Sequence, residues 1–296
     1  MSPARVSLKS PAKINLVLDL LRKRADGFHE VDFVMQELEI HDTITIESIV
    51  ENTEIILACN DPSVPLDTRN TCYKAAQLMQ EECKKAGSLV QGAKITIEKR
   101  IPSAGGLGGG SSNAAAVLKG LNEVWNLQLS KNVLASLAAQ IGSDVPFFIY
   151  GGTCRARGRG EIITSIPKCP SLELAFIVPP VKVPEQKTKW IYSHFDVTKV
   201  ENHPSVEKML EAITQNDSHA VAQAAGNAFE EGLSISEYAP VFYLIESLKK
   251  VPGVHNAILA GAGPTICIFC DSAKTAETVV GPFKAKNTLA FSTRTV

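Results

Sequence analysis

Between residues 105 and 110 the chain places five glycines in six positions, as Gly105-Gly106-Leu107-Gly108-Gly109-Gly110. A glycine inside a helix or strand costs roughly 0.5–1 kcal/mol relative to alanine. The cluster therefore argues against regular structure and for a loop that needs unusual dihedrals or a very close neighbour. Its flanks set the local order. Ahead of it, Lys94-Ile95-Thr96-Ile97-Glu98-Lys99 alternates apolar and polar, as a half-buried strand does. Behind it, Ser111, Ser112 and Asn113 are residue types that cap helices. Ala114, Ala115, Ala116, Val117, Leu118, Leu121 and Val124 then suit a helix packed on one face. A helix N-terminus carries unpaired N–H groups and the positive pole of the helix dipole, so it favours an anion. Glycines let the backbone approach phosphate oxygens with no Cβ in the way. No lysine follows the glycines, so this is not a Walker A loop; the G-x-G-x-x-G spacing also fails, because Gly106-Leu107-Gly108 meets Ser111 at the third place. The reading is a nucleotide-phosphate loop of another type. The alternative, a flexible linker, sits poorly between a clean strand and a capped helix.

The rest of the chain bounds what such a loop serves. At 296 residues it is long enough for a large core and two domains. A net charge of −1 gives no reason to expect nucleic acid or an anionic membrane surface. No apolar run reaches the ~18 residues of a membrane span, and the start, MSPARVSLKS, has no apolar signal core. The seven cysteines are scattered and odd in number. Cys267 and Cys270 make a C-x-x-C, but inside the apolar run Ile266 to Cys270, which reads as a buried strand rather than a redox or zinc site. The expectation is a soluble, cytoplasmic protein with free thiols. A proline-rich seam runs from Pro167 through Pro170 to Pro179, Pro180 and Pro184, and a domain boundary near its start divides the chain into 1–166 and 167–296. After the seam come a strand over 172–178, helices around 206–213, 220–229 and 241–249, and two short strands flanking Gly261-Ala262-Gly263-Pro264. Both element types in mixed order point to an α+β fold.

Four further stretches carry side chains with chemistry. In "SPAKINLVLDL", Ile14, Leu16, Leu18 and Leu20 alternate toward a core, which leaves Lys13 and Asn15 together on the opposite face; such a pair is ordinarily a solvated face. In "RADGFHE", Asp26-Gly27 signals a turn that places Phe28 and His29 at a loop tip or strand start. An aromatic beside an imidazole there can stack on and hydrogen-bond to a planar base, or form a small satellite core. In "GSDVPFF", Asp144 fits an Asx turn or helix cap, and equally a carboxylate that orients and deprotonates an attacking hydroxyl. The stretch "LAGAGPT", residues 259 to 265, is either a tight hairpin or a second backbone surface closing over a ligand.

Taken together, "PAKINLVL", "RADGFHE", "PSAGGLGGGSSNAA" and "GSDVPFF" resemble the GHMP kinase superfamily, and within it the branch that phosphorylates a cytidylated methylerythritol. The resemblance covers most of the first domain, returns at "LAGAGPT", and is weaker in the first half of the second domain. It implies a two-lobed α+β fold, one lobe like the second domain of ribosomal protein S5 and one ferredoxin-like, with the active site in the cleft between them. ATP and Mg²⁺ are implied, with a small-molecule alcohol substrate and a monomer or weak homodimer. By the resemblance, Gly105, Gly106, Leu107, Gly108, Gly109, Gly110, Ser111 and Ser112 wrap the ATP phosphates, with Ser111 or Ser112 near Mg²⁺. Asn70 and Lys99 lie beside the adenosine half. Lys13 and Asp144 are the catalytic pair, Asn15 places the substrate hydroxyl, and Phe28 and His29 hold the cytosine ring. Thr188 and Tyr192 match the spacing of the family's substrate segment, although Glu185-Gln186-Lys187 look inserted and Trp190 competes with Tyr192 as a second stacking ring. Leu259-Ala260-Gly261 stands where relatives often carry Met-Ser-Gly, losing a hydroxyl, and Phe28 replaces a commoner tyrosine. Two rival readings stay open: a kinase of the same superfamily acting on mevalonate, homoserine or a sugar, and a nucleotide-binding sensor without turnover.

Overall fold

The computed structural model describes residues 4–103, 105–182, 187–233 and 235–296, without the side chains of Lys187 and Thr188. The chain forms two compact units, neither continuous in sequence. The first comprises Met1–Ala12, Ile40–Ser103 and Gly108–Gly151; the second comprises Lys13–Glu39, Ala104–Leu107 and Gly152–Val296. Two long strands, β1 (Arg5–Lys23) and β2 (His29–Ile49), contribute to both.

In the first unit follow β3 (Ile55–Cys59), α1 (Thr71–Lys85), β4 (Gly92–Glu98), α2 (Gly109–Val124), α3 (Lys131–Ile141) and α4 (Val145–Tyr150). Strand β4 lies antiparallel to the second half of β2, pairing Ile44 with Ile97 and Ile46 with Ile95, and parallel to β3. These four isoleucines are buried, as the period-2 pattern of β4 requires. Helix α2 packs close on this sheet: a Cβ at Gly120 would sit 2.5 Å from Ile46 Cδ1 and 3.2 Å from Leu8 Cδ1, so any larger residue there would displace these side chains.

The second unit holds β5 (Thr153–Gly158), β6 (Ile162–Ser165), β7 (Glu173–Ile177), α5 (Lys187–Ser193), α6 (Val206–Thr214), α7 (Ser218–Ala224), β8 (Gly226–Asn227), α8 (Phe229–Gly232), α9 (Ala239–Leu248), β9 (Val254–Leu259), β10 (Ile266–Cys270), α10 (Ala273–Lys284) and β11 (Ala290–Arg294). Strand β5 pairs with the first half of β2, from Val31–Gly158 to Gln36–Thr153, and β8 lies parallel to β1 at Val17 and Leu18. The last four long strands form an antiparallel sheet in the order β11-β7-β10-β9. Taken in chain order, the first and last are neighbours and the third separates the first from the second. Helices α9 and α10 are the intervening elements and pack on this sheet. That is the ferredoxin-like topology.

Several local expectations change. Helix α2 begins at Gly109, with Gly108 as its N-cap in the left-handed region at φ 73°. Ser111, Ser112 and Asn113 are thus inside its first turns rather than capping it, and the glycine run ends within the helix. The single helix expected over 220–229 is three elements, α7, β8 and α8. Gly226-Asn227 are poor helix formers, and β1 offers them strand hydrogen bonds instead: the Ala228 N–H donates to the Leu18 carbonyl at 2.9 Å. Cys267 and Cys270 do lie in a buried strand as free thiols. Burial pushes the Cys267 thiol well above its ordinary range and Cys270 up to about 12. No helix among the described residues is long and apolar enough to cross a membrane.

Candidate active site

Strand β1 is covered on both faces. Ile14, Leu16, Leu18 and Leu20 are buried as their alternation predicts, but Lys13 and Asn15 are also only 4% and 5% exposed. The solvated-face reading of that pair is therefore wrong. Lys13 Nζ donates to Asn15 Oδ1 at 2.6 Å. A charged ammonium is costly inside a protein unless it is paired and hydrogen-bonded. The Lys13 backbone N–H donates to the Leu107 carbonyl at 2.9 Å, which fastens the strand to the glycine loop. Leu107 is buried and so is Gly105. Gly106 and Gly108 take φ values of 76° and 73°, which glycine adopts freely and other residues resist.

The second glycine stretch is a tight hairpin. It turns the hairpin between β9 and β10, with the Ala260 N–H donating to the Thr265 carbonyl at 2.8 Å. It also lies against the first loop: a Cβ at Gly261 would be 3.7 Å from the Gly106 carbonyl oxygen.

In the first unit, α2 opens without a side-chain cap, which leaves its first-turn N–H groups to a ligand. The two serines there differ. Ser112 is buried, its Oγ 2.7 Å from Ser10 Oγ, which is also 2.7 Å from Asn113 Oδ1. Ser111 is only half-buried. Of the two, Ser111 is the more exposed. Thr71 Oγ1 donates to the Gly110 carbonyl at 2.8 Å, tying the start of α1 to the start of α2. Asn70 is the N-cap of α1: its Oδ1 accepts from the Cys72 N–H at 2.9 Å and its Nδ2 donates to the Pro65 carbonyl at 2.6 Å. Lys99 forms a buried ion pair with Asp42 at 2.5 Å. Asp42 accepts in addition from the Arg100 and Ile101 N–H groups at 2.7 and 2.8 Å. A Cβ at Gly109 would lie 3.1 Å from the Lys99 ammonium, so that cation sits directly against the helix start. Asp144 immediately precedes α4, yet its side chain makes no capping hydrogen bond. The helix-cap explanation of this carboxylate is thus not the one the structure uses.

Phe28 and His29, neighbours in sequence, face different surroundings. The turn before them is braced by the Phe28 N–H donating to Asp26 Oδ1 at 3.1 Å and by Gly27 at φ 85°. Phe28 is 54% exposed, with the Arg159 guanidinium 5.0 Å from its ring centroid. His29 is 7% exposed and packs near Tyr192 and Phe195, at ring-centroid distances of 5.5 and 5.6 Å. Burial first, and then the charge of Lys23, hold the His29 imidazole below its ordinary pKa, which favours the neutral ring. Tyr192 and Phe195 both pack edge-on to Phe229. Trp190 instead contacts His194 and Tyr238, so Tyr192 is the ring that joins His29. The side chain of Thr188 lies outside the described residues.

The second unit holds a glycine segment gripped by a buried lysine strand together with an aromatic cluster, the first unit holds an uncapped helix start, and relatives decide what they serve. Profiles for the GHMP kinases N terminal domain and the GHMP kinases C terminal match residues 70–152 and 205–287. A 4-diphosphocytidyl-2-C-methyl-D-erythritol kinase of Geobacillus kaustophilus is 43% identical over 262 residues, which cover 88% of this chain and 87% of that protein. The chain belongs to this family of GHMP kinases. Enzymes of the same name from Brevibacillus brevis and Listeria monocytogenes are 42% and 41% identical, each over 88% of this chain and 86% of their own. A crystal structure of 4-(cytidine 5'-diphospho)-2C-methyl-D-erythritol kinase matches the GHMP kinase described here with a TM-score of 0.75 at 27% identity, covering 98% of this chain and 99% of that one. An L. major mevalonate kinase in complex with R-mevalonate matches with a TM-score of 0.70 at 17% identity over 100% of this chain and 98% of its own, a likeness of fold alone. The chain is accordingly an ATP-dependent small-molecule kinase.

Sequence reasoning missed Ser10, Asp42 and Thr71, which bond to Ser112, Lys99 and Gly110 in the first unit, and Phe195 and Phe229, which pack on His29 and Tyr192 in the second. Asp42 and Lys99 are 57 residues apart and Ser10 and Ser112 are 102 apart, so no local pattern links them.

Proposed function

We propose that this kinase transfers the γ-phosphoryl group of ATP to the 2-hydroxyl of 4-diphosphocytidyl-2-C-methyl-D-erythritol, in the methylerythritol phosphate route of isoprenoid biosynthesis. The observation that carries the mechanism is the buried Lys13, whose backbone N–H holds Leu107 of the glycine loop while its ammonium is fixed 2.6 Å from Asn15. Phosphoryl transfer passes through a loose transition state, so catalysis is mostly positioning and charge stabilisation. Loop residues Gly105 to Gly110 and the first turn of α2 receive the phosphates. Lys13 offsets charge on the transferring group. Asn15 orients the acceptor hydroxyl. Asp144 takes the hydroxyl proton, which leaves late, so a weakly basic carboxylate suffices. Asn70 and Lys99 shape the nucleotide end, each from a fixed position.

Mg²⁺ keeps several waters and takes one or two protein oxygens plus phosphates. Among the described residues no group of three or more His, Cys, Asp or Glu could cage a metal, which fits an ion that arrives with ATP. Ser111 would be the hydroxyl that holds such an ion. When bound, it neutralises phosphate charge.

At the other end of the substrate, Phe28 offers an exposed ring face and His29 a neutral imidazole for a cytosine, with Tyr192 beside it. This remote binding energy positions the reacting hydroxyl.

The test is ADP release from MgATP with a panel of acceptors: the cytidylated compound, bare methylerythritol, mevalonate, homoserine and galactose. Turnover confined to the cytidylated acceptor is expected. Turnover with another alcohol discards the cytosine reading, and ATP binding without turnover leaves a sensor.

A further inference from the structure

The loop at Gly106 and Leu107 has two neighbours: the Lys13 N–H donates to the Leu107 carbonyl at 2.9 Å, and Gly261 lies so close that a Cβ there would stand 3.7 Å from the Gly106 carbonyl oxygen. What holds Gly261 in turn is not backbone pairing alone. Asn227, 5% exposed in β8, donates from its Nδ2 to the Leu259 carbonyl at 2.7 Å and to the Gly261 carbonyl at 2.8 Å. Its Oδ1 accepts from the Phe229 N–H at 3.1 Å. Both N–H groups and the oxygen of one buried amide are thus used. Two further side chains grip the same turn. Glu230 Oε1 accepts from the Leu259 N–H at 2.9 Å, and the Tyr238 hydroxyl donates to the Ala262 carbonyl at 2.9 Å. Asn227 is itself paired with Leu18 of β1, the strand that carries Lys13 and Asn15.

We infer that Asn227 is a positioning residue for phosphoryl transfer: its amide locks the turn at residues 259–261 to the strand of Lys13, so that the loop at Gly106 and Leu107 keeps one orientation toward the ATP phosphates. The inference rests on the reading of residues 105–112 as the phosphate loop. Its logic is geometric. The turn has no catalytic side chain of its own, since Leu259 and Ala260 are apolar and Gly261 has none. Its contribution must come from where its backbone sits, and Asn227 sets that position. An aspartate in the same place keeps the shape but offers two acceptors to two carbonyl oxygens, and the turn is pushed away.

The experiment compares wild type with Asn227→Asp, Tyr238→Phe and Gly106→Ala in steady-state assays that vary MgATP and the cytidylated acceptor separately, with cooperative unfolding checked for each. Displacement of reacting groups by about an ångström costs up to ~10²-fold. The expected result for Asn227→Asp is a kcat lower by ~10-fold or more and a raised KM for ATP, with the acceptor KM little changed. Tyr238→Phe, which removes a single hydrogen bond to the turn, shifts the same two parameters in the same direction by less. If Asn227→Asp does not fold, Tyr238→Phe with unaltered kcat and ATP KM overturns the inference. A folded Asn227→Asp with unaltered ATP parameters overturns it while Gly106→Ala raises the ATP KM. If Gly106→Ala is also without effect, the phosphate-loop reading fails and the inference falls with it.

Discussion

Replacing Glu230 by glutamine isolates the energetic cost of a carboxylate buried beneath the second glycine turn. Burial pushes the Glu230 carboxyl from an ordinary 4.5 up to about 7, against the pull of the Leu259 N–H and the charge of Lys249 and with a further push from Glu246 and Glu231. In the unfolded chain the group returns to its ordinary value. Between those two values the native state holds a proton that the unfolded state has released, so stability falls as pH rises. The contribution is fully present below about pH 4.5 and is gone once pH has risen through about 7. About 2.5 pH units at about 1.36 kcal/mol each amount to ~3 kcal/mol. Glutamine keeps an oxygen for the Leu259 N–H and never ionises. The Glu230→Gln protein therefore gains on wild type by up to ~3 kcal/mol between about pH 5 and about pH 8. Urea unfolding of both proteins across that range measures the difference, and effects of all other groups cancel. A constant difference at every pH would refute the reasoning, because Glu230 would then have the same proton affinity folded and unfolded.

Other consequences are as direct. Asp144→Asn is expected to lower kcat by ~10²–10⁴-fold, with ATP binding by fluorescence titration retained; an unchanged kcat removes Asp144 from the chemistry. His29 is held below its ordinary 6.5 by burial and Lys23, so the acceptor KM should rise as pH falls below about 6.5 while the ATP KM stays level. Steady-state profiles in both substrates check this, and a His29→Asn variant should lose the pH dependence. Phe28→Ala should raise KM for the cytidylated acceptor and leave KM for ATP alone, and an equal rise with bare methylerythritol would place the ring outside the base pocket. Asp42→Asn leaves the Lys99 cation buried without its counter-charge, which costs ~3–5 kcal/mol in chemical denaturation.

What was legible in the sequence was what depends on neighbours in sequence. The alternation around Ile95 and Ile97 places β4, the glycines place the loop, and the alanine run places α2. The even positions of β1 announce a core face at Ile14, Leu16 and Leu18. The odd face was misread because the burial of Lys13 and Asn15 is set by tertiary packing, which no local pattern announces. The start of α2 was placed too late for a related reason. Gly109 and Gly110 have low helix propensity, but Lys99 and Ile101 pack where a Cβ at Gly109 would project, so tertiary contact outweighs propensity. The split of 220–229 into α7, β8 and α8 has the same origin, since β1 supplies the hydrogen bonds that a helix through Gly226 and Asn227 would have made. Residue chemistry also hid a distinction that geometry makes plain. Ser111 and Ser112 are identical in the string, and only the contact of Ser112 with Ser10 tells them apart.

The central claim is that the γ-phosphoryl group of ATP reaches an alcohol of a cytidine diphosphate-linked substrate. Phosphorus NMR of a complete reaction tests it most directly. The account predicts one new phosphomonoester resonance that grows in step with ADP, with the two diphosphate resonances of the acceptor intact. Release of inorganic phosphate with the acceptor unchanged, or loss of the acceptor's diphosphate signals, would contradict it.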